Sequence, residues 1–194
     1  MQGSFDFDET FPPRPRRAER LFLCVMPGGE AVGPLGRFAE GFLAGHAPAA
    51  RAIPAERLHV SLHHIRDDVR LREADLFAAR QAVRRVALHP FRQCFRRATG
   101  FPPLSPKKRD CPLVLLGEGG NLEALHGQIA DGMTAIGLRP SRGSVPHMTL
   151  AYTAAPLPMR VIPAIGFEVR EVLLVHSRRG LSEYRVIDRW PLRG

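Results

Sequence analysis

The chain has 194 residues, 44% of them apolar, enough to close a hydrophobic core and too many for a disordered chain. Lys and Arg number 28 against 19 Asp and Glu, a net charge of +9 that favours anionic partners such as RNA, nucleotides or acidic lipid without naming one. Three cysteines, Cys24, Cys94 and Cys111, lack C-x-x-C spacing and argue against a disulfide framework or a cysteine-rich zinc site. No apolar run approaches the roughly 18 residues that span a bilayer.

Residues 1–19 place Asp6, Asp8 and Glu9 ahead of Arg14, Arg16 and Arg17, interleaved with Pro12, Pro13 and Pro15. That order lacks the apolar stretch of a secretory signal, so a flexible tail and a cytoplasmic protein are expected. Residues 20–194 are expected to form one domain. Its first strand is 20–26 (RLFLCVM), stopped by Pro27, Gly28 and Gly29. A helix over 32–44 and a strand over 57–65 (RLHVSLHHI) follow. The segment 71–88 repeats apolar residues at Leu71, Leu76, Ala79, Val83 and Val86, as a helix does. Beyond Pro90, residues 91–101 alternate in the manner of a strand, and 102–110 (PPLSPKKRD) read as a loop.

The order then begins again: strand 111–117 (CPLVLLG), helix 121–136, and strand 147–152 (HMTLAY). Strands at 167–176 and 184–190, joined by the turn-like 177–182, close the chain. Strand, helix, strand thus occurs twice, with equivalent strands about 90 residues apart, the mark of an internal duplication. Each copy carries one H-x-S/T-L motif, His59-Val60-Ser61-Leu62 and His147-Met148-Thr149-Leu150. Chance supplies only about 0.05 such tetrapeptides in a chain with this many histidines.

In a strand, residues i and i+2 share a face, so His59 pairs with Ser61 and His147 with Thr149, and strict alternation adds His63 to the first face. If the halves pack about a pseudo-twofold axis, two imidazoles and two hydroxyls converge in a cleft. In-line displacement at phosphorus needs this layout, because the attacking and leaving oxygens lie on opposite sides of the atom and call for a base and an acid. Imidazole serves either role near neutral pH, and Ser61 and Thr149 can donate to non-bridging phosphate oxygens. The pattern demands no metal and no cofactor.

These residues resemble the 2H phosphoesterases, and within them the bacterial RNA 2',3'-cyclic phosphodiesterases, also called the 2'-5' RNA ligase family. The likeness covers about residues 20–192, through RLFLCVMP, LHVSLHHI, CPLVLLGEGGNLEALHGQI, VPHMTLAY, FEVREVLLVHS and YRVIDRWPL. It implies an α+β, bilobal, duplicated fold: two antiparallel sheets, outer helices and a central cleft holding both motifs. It also implies His147 as the base toward water, His59 as the acid toward the leaving ribose oxygen, and a 2'-phosphate product. Two departures stand out: His63 and His64 replace Arg and Phe after the first motif, and Tyr152 replaces Arg after the second. His63, Arg142 and Tyr152 are therefore candidate substrate contacts, and Lys107, Lys108 and Arg109 a candidate RNA track. Trp190, Tyr152, Phe95 and Phe101 are aromatic candidates for stacking a base, set against ordinary core roles.

The expected partner is RNA or a nucleotide ending in a 2',3'-cyclic phosphate, with no membrane and no protein partner, the protein acting as a monomer. Two other readings stay open: a phosphodiesterase or ligase for 2'-5' linkages or other small cyclic phosphates, and a basic RNA-binding module whose histidines do not catalyse.

Overall fold

The computed structural model describes residues 19–68, 71–103, 110–140, 145–178 and 183–194. The tail over 1–18, the basic run Lys107, Lys108 and Arg109, and Arg142 lie outside the described residues. Among those described, the order is β1 (Glu19–Val25), α1 (Gly29–His46), β2 (Val60–Asp68), α2 (Glu73–Val83), β3 (Phe91–Gly100), β4 (Cys111–Glu118), α3 (Asn121–Ala135), β5 (His147–Thr153), β6 (Arg160–Val169), β7 (Glu171–Arg178) and β8 (Glu183–Pro191). The fold is α+β, as the sequence predicts.

The strands line up as β6-β3-β4-β5-β2-β1-β7-β8, with antiparallel neighbours throughout. Each inner strand of the repeat sits at the centre, β2 beside β5, flanked by β1 and β4. Two four-stranded halves meet there through one residue pair, Val60 with Met148. The two predicted sheets are thus continuous, joined along a seam one pair long.

One large core lies on the helical side, joining Leu21, Leu23 and Val25 of β1 to Leu35 and Ala39 of α1, Leu76 and Ala79 of α2, and Leu125 and Ile129 of α3. The opposite face of the β1 half carries its own apolar layer of Phe22, Cys24, Leu173 and Val175. Burial on both faces explains why β1 reads as an unbroken apolar run instead of alternating. Burial also pushes the Cys24 thiol up, so it is held as a neutral packing group. No helix among the described residues is long and apolar enough to cross a membrane.

Three boundaries differ from expectation. The run 167–176 is two strands: residues up to Val169 pair with β3, those after Arg170 with β1 in the other half. The earlier part, β6, was missed because Pro163 and Gly166 suppress a strand signal, and its place at the sheet edge is where a proline is tolerated. The helix predicted to Leu88 stops at Val83; the Val86 N–H bonds the Val83 carbonyl and the Ala87 N–H bonds the Gln128 side chain. The strand predicted from Arg57 starts at Val60, since Ala55–Arg57 forms a 3-10 turn.

α2 and α3 cross at a glycine. A Cβ on Gly132 would lie 2.1 Å from the Ala82 carbonyl oxygen, whereas one on Gly127 of the same helix meets nothing within 4 Å. Gly132→Ala is therefore expected to destabilise the fold by about 1–3 kcal/mol. Gly127→Ala should stabilise it by about 0.5–1 kcal/mol through helix propensity. Urea unfolding midpoints check the pair, and a Gly132→Ala protein as stable as wild type would refute this packing.

Candidate active site

Val60 and Met148 are both 0% exposed, packed into the helical core. Residues directly opposite in an antiparallel pair share a face, and their chain neighbours take the other. His59, Ser61, His147 and Thr149 must therefore all project from the face away from the helices. Extending that register by one residue on each side would set His59 beside Thr149 and Ser61 beside His147. The two histidines are diagonal, an arrangement that separates residues by about 7–8 Å in a regular ladder and leaves room for one phosphate group.

Both imidazoles are held in the same way. His59 Nδ1 lies 2.8 Å from the Arg57 carbonyl oxygen, and His147 Nδ1 lies 2.7 Å from that of Val145. A carbonyl only accepts, so each Nδ1 carries the proton and donates it. Nε2 is left as the nitrogen free to take or give a proton, with the ring pivot removed. The carbonyl two residues upstream is part of each motif in three dimensions, although no side-chain pattern encodes it.

The fourth residue of each motif is a bulge. In β2, Leu23 pairs with His63 and Cys24 with Ser61, leaving Leu62 without a partner. In β5, Leu113 pairs with Ala151 and Val114 with Thr149, leaving Leu150 over. An extra residue resets the alternation. This corrects the expectation for His63: it is 1% exposed on the helical side, its Nε2 2.9 Å from the His126 carbonyl and its ring stacked on His126 at 3.9 Å. His64, which unbroken alternation would turn toward the helices, pairs with Phe22 on the cleft face and is exposed. Tyr152 takes the equivalent place in the second half, 55% exposed.

Around the histidines, Phe22 and Tyr184 hold the His59 ring at centroid distances of 5.2 and 5.4 Å, and Phe101 holds His147 at 5.2 Å. Arg57 lies over the Tyr184 ring, its Cζ 4.6 Å from the centroid. At the rim, Asp67 accepts from Arg20 and from His64, each at 2.9 Å. Burial alone would raise the Asp67 carboxyl, but those two bonds outweigh it and hold it below its usual range.

Burial lowers the His59 pKa below its ordinary 6.5; the Arg57 carbonyl bond opposes this, and the charges of His147, Arg57 and Arg20 add to it. That His147 acts on His59 places both rings in one electrostatic site. Burial also raises the Tyr184 phenol, against the pull of Arg57. Among the described residues, no group of three or more His, Cys, Asp or Glu is arranged to hold a metal ion.

Other candidates fall elsewhere. Phe95 is fully buried and stacked on Phe167, and Trp190 packs against the helical core. Sequence reasoning missed Arg57, Tyr184 and His64. Arg57 had a signal, a cation two residues before a motif histidine; Tyr184 reaches the site only because β8 joins the β1 half by way of β7.

With this geometry in hand, three comparisons are informative. The family model of the 2'-5' RNA ligase superfamily matches residues 34–181. Among solved structures, the TT0787 protein of Thermus thermophilus superposes with a TM-score of 0.68 at 22% identity, covering 90% of this chain and 98% of that one. E. coli LigT in its apo form gives 0.65 at 21%, covering 92% and 99%. The same protein complexed with 3'-AMP gives 0.63 at 21%, covering 91% and 99%. These likenesses concern the fold. No curated protein matches the sequence.

His59, His63 and His126 all have imidazole pKa values lowered chiefly by burial. Below their ordinary 6.5 the unfolded chain binds more protons than the folded one, so stability must fall as pH drops through that value. The urea midpoint is expected to be lower at about pH 5.5 than at about pH 7.5, and His63→Phe should shrink the difference. An unchanged midpoint would contradict the burial of these rings.

Proposed function

The chain belongs to the 2'-5' RNA ligase superfamily, and from that premise we propose that it hydrolyses 2',3'-cyclic phosphate ends of RNA or nucleotides, without a metal, to a phosphomonoester with the phosphate on the 2' oxygen. The observation that carries this reading is the matched pair of carbonyl-anchored imidazoles, each with Nε2 free, on one face of a single seam. Acid–base chemistry at phosphorus needs two such groups and little else.

In the proposed mechanism the cyclic phosphate sits between the diagonal histidines, its non-bridging oxygens accepting from Ser61 and Thr149. His147 Nε2 removes a proton from water as it attacks phosphorus. His59 protonates the departing ribose oxygen on the far side. Burial and the charges of His147, Arg57 and Arg20 depress the His59 pKa in the absence of substrate. His59 therefore takes up its proton with the substrate, whose negative charge stabilises the imidazolium. Tyr152, His64 and Phe101 border the cleft as candidate contacts for ribose and base, and the net charge of +9 suits an RNA substrate. A cytoplasmic monomer completes the proposal.

Replacing either His59 or His147 by Ala should lower turnover of 2',3'-cyclic nucleotides by about 100-fold or more while the fold survives. Excess chelator should leave the wild-type rate unchanged; full inhibition reversed by one divalent ion would overturn the metal-free reading. Product chromatography separates 2'- from 3'-phosphates in the same assay.

The two roles separate on a substrate whose leaving group needs no proton. On an aryl phosphodiester, His59→Ala should recover most of its lost rate and His147→Ala should not, since only the acid becomes dispensable. The opposite ranking exchanges the roles.

A further inference from the structure

The duplicated halves differ at one position with chemical consequence. The carbonyl that holds His59 belongs to Arg57, and the one that holds His147 belongs to Val145. So the residue that anchors one imidazole is a cation and the residue that anchors the other is not. Several arginines here face a carboxylate: Arg20, Arg66, Arg80 and Arg189 do so at 2.6–2.9 Å. Arg57 has no carboxylate within ion-pair distance among the described residues. Its Nε is buried and makes no hydrogen bond, and its guanidinium lies over the ring of Tyr184.

A half-buried guanidinium with an unused buried N–H costs free energy unless an acceptor arrives. Beside it stand Tyr184, whose ring it covers and whose side chain it also hydrogen-bonds, and the His59 ring in T-shaped contact with that same tyrosine. Its charge reaches His59, where it opposes protonation. An anion on this side would meet a planar fork of donors suited to two phosphate oxygens, and would reverse the electrostatic penalty on His59 in the same step.

We propose that Arg57 is the residue that grips the substrate phosphate by charge, with Tyr184 as the platform that fixes its guanidinium. Arg57 thereby makes the duplicated site directional: the phosphate is drawn toward the His59 side, and the anion that Arg57 binds is the one that lets His59 hold a proton. The assignment of the anion as a substrate phosphodiester rests on the function proposed above; the anion site itself does not.

The test titrates wild type, Arg57→Gln and Arg57→Lys with inorganic phosphate, following the His59 and His147 ring resonances by NMR, beside kinetics on a 2',3'-cyclic nucleotide. Phosphate affinity should fall about tenfold or more in Arg57→Gln and by an intermediate factor in Arg57→Lys, which keeps the charge but not the fork. kcat/KM should drop by about 10–100-fold in Arg57→Gln, and the His59 pKa in the phosphate-free protein should rise once the neighbouring charge is gone. A merely structural arginine would leave the phosphate affinity where it is, whatever happens to the His59 pKa. Unchanged affinity in Arg57→Gln, or no phosphate binding by wild type, overturns the proposal. If Arg57→Gln does not fold, Arg57→Lys decides on the same criterion. Phosphate binding that depends on Arg57, with no turnover of any cyclic nucleotide, would sink the proposed activity and leave Arg57 as an anion site.

Discussion

The candidate site depends on a single antiparallel residue pair. Val60 and Met148 meet at the seam between the two halves of the sheet, both wholly buried against the helices. Because the pleat alternates, burying that pair turns His59, Ser61, His147 and Thr149 to the opposite face together. A one-residue slip at the seam would turn one motif's histidine and hydroxyl into the core while the other pair stayed outside. The helical core on one side and the polar cluster on the other are thus two consequences of one register.

Symmetry and its breaking divide the work of the cleft. The symmetric parts are those that a two-sided proton transfer needs: imidazole, upstream carbonyl, hydroxyl at i+2, and a leucine bulge that ends the regular ladder. The bulges then bring a third residue of each motif strand to the cleft face, His64 in one half and Tyr152 in the other. These unlike residues, with Arg57 facing Val145 across the pseudo-axis, make the two sides chemically distinct. Two like strand units thereby hold their imidazoles in unlike electrostatic settings, as the proposed acid and base roles require. The rim ion pairs, such as Arg20 with Asp67, are partly exposed and contribute only about 0–1 kcal/mol each, so they shape the field of the cleft more than they hold the fold.

The elements of the repeat were legible in the sequence because apolar spacing reports directly on burial. β1, α1, β3, β4, α3 and β5 fall close to their expected places, and the period of two in the H-x-S/T pattern predicts the shared face of the candidate site. Three things were hidden for physical reasons. A bulge leaves no mark in composition, so strict alternation put His63 where His64 stands. The strand change at Arg170 joins two apolar runs that look like one. Contacts across the chain, such as Tyr184 on His59, depend on strand order, which local pattern does not contain. Arg57 was overlooked for a different cause: an arginine beside a motif reads as a solvated charge until its buried, unpartnered Nε is seen.

The central claim is that each motif histidine is locked by its upstream carbonyl with Nε2 presented to a shared anion site. Long-range proton–nitrogen NMR of the neutral rings tests it most directly. Both His59 and His147 are expected as the Nδ1–H tautomer, with both rings shifting together when phosphate is added. An Nε2–H tautomer at either histidine, or phosphate shifts confined to one of them, would contradict the account.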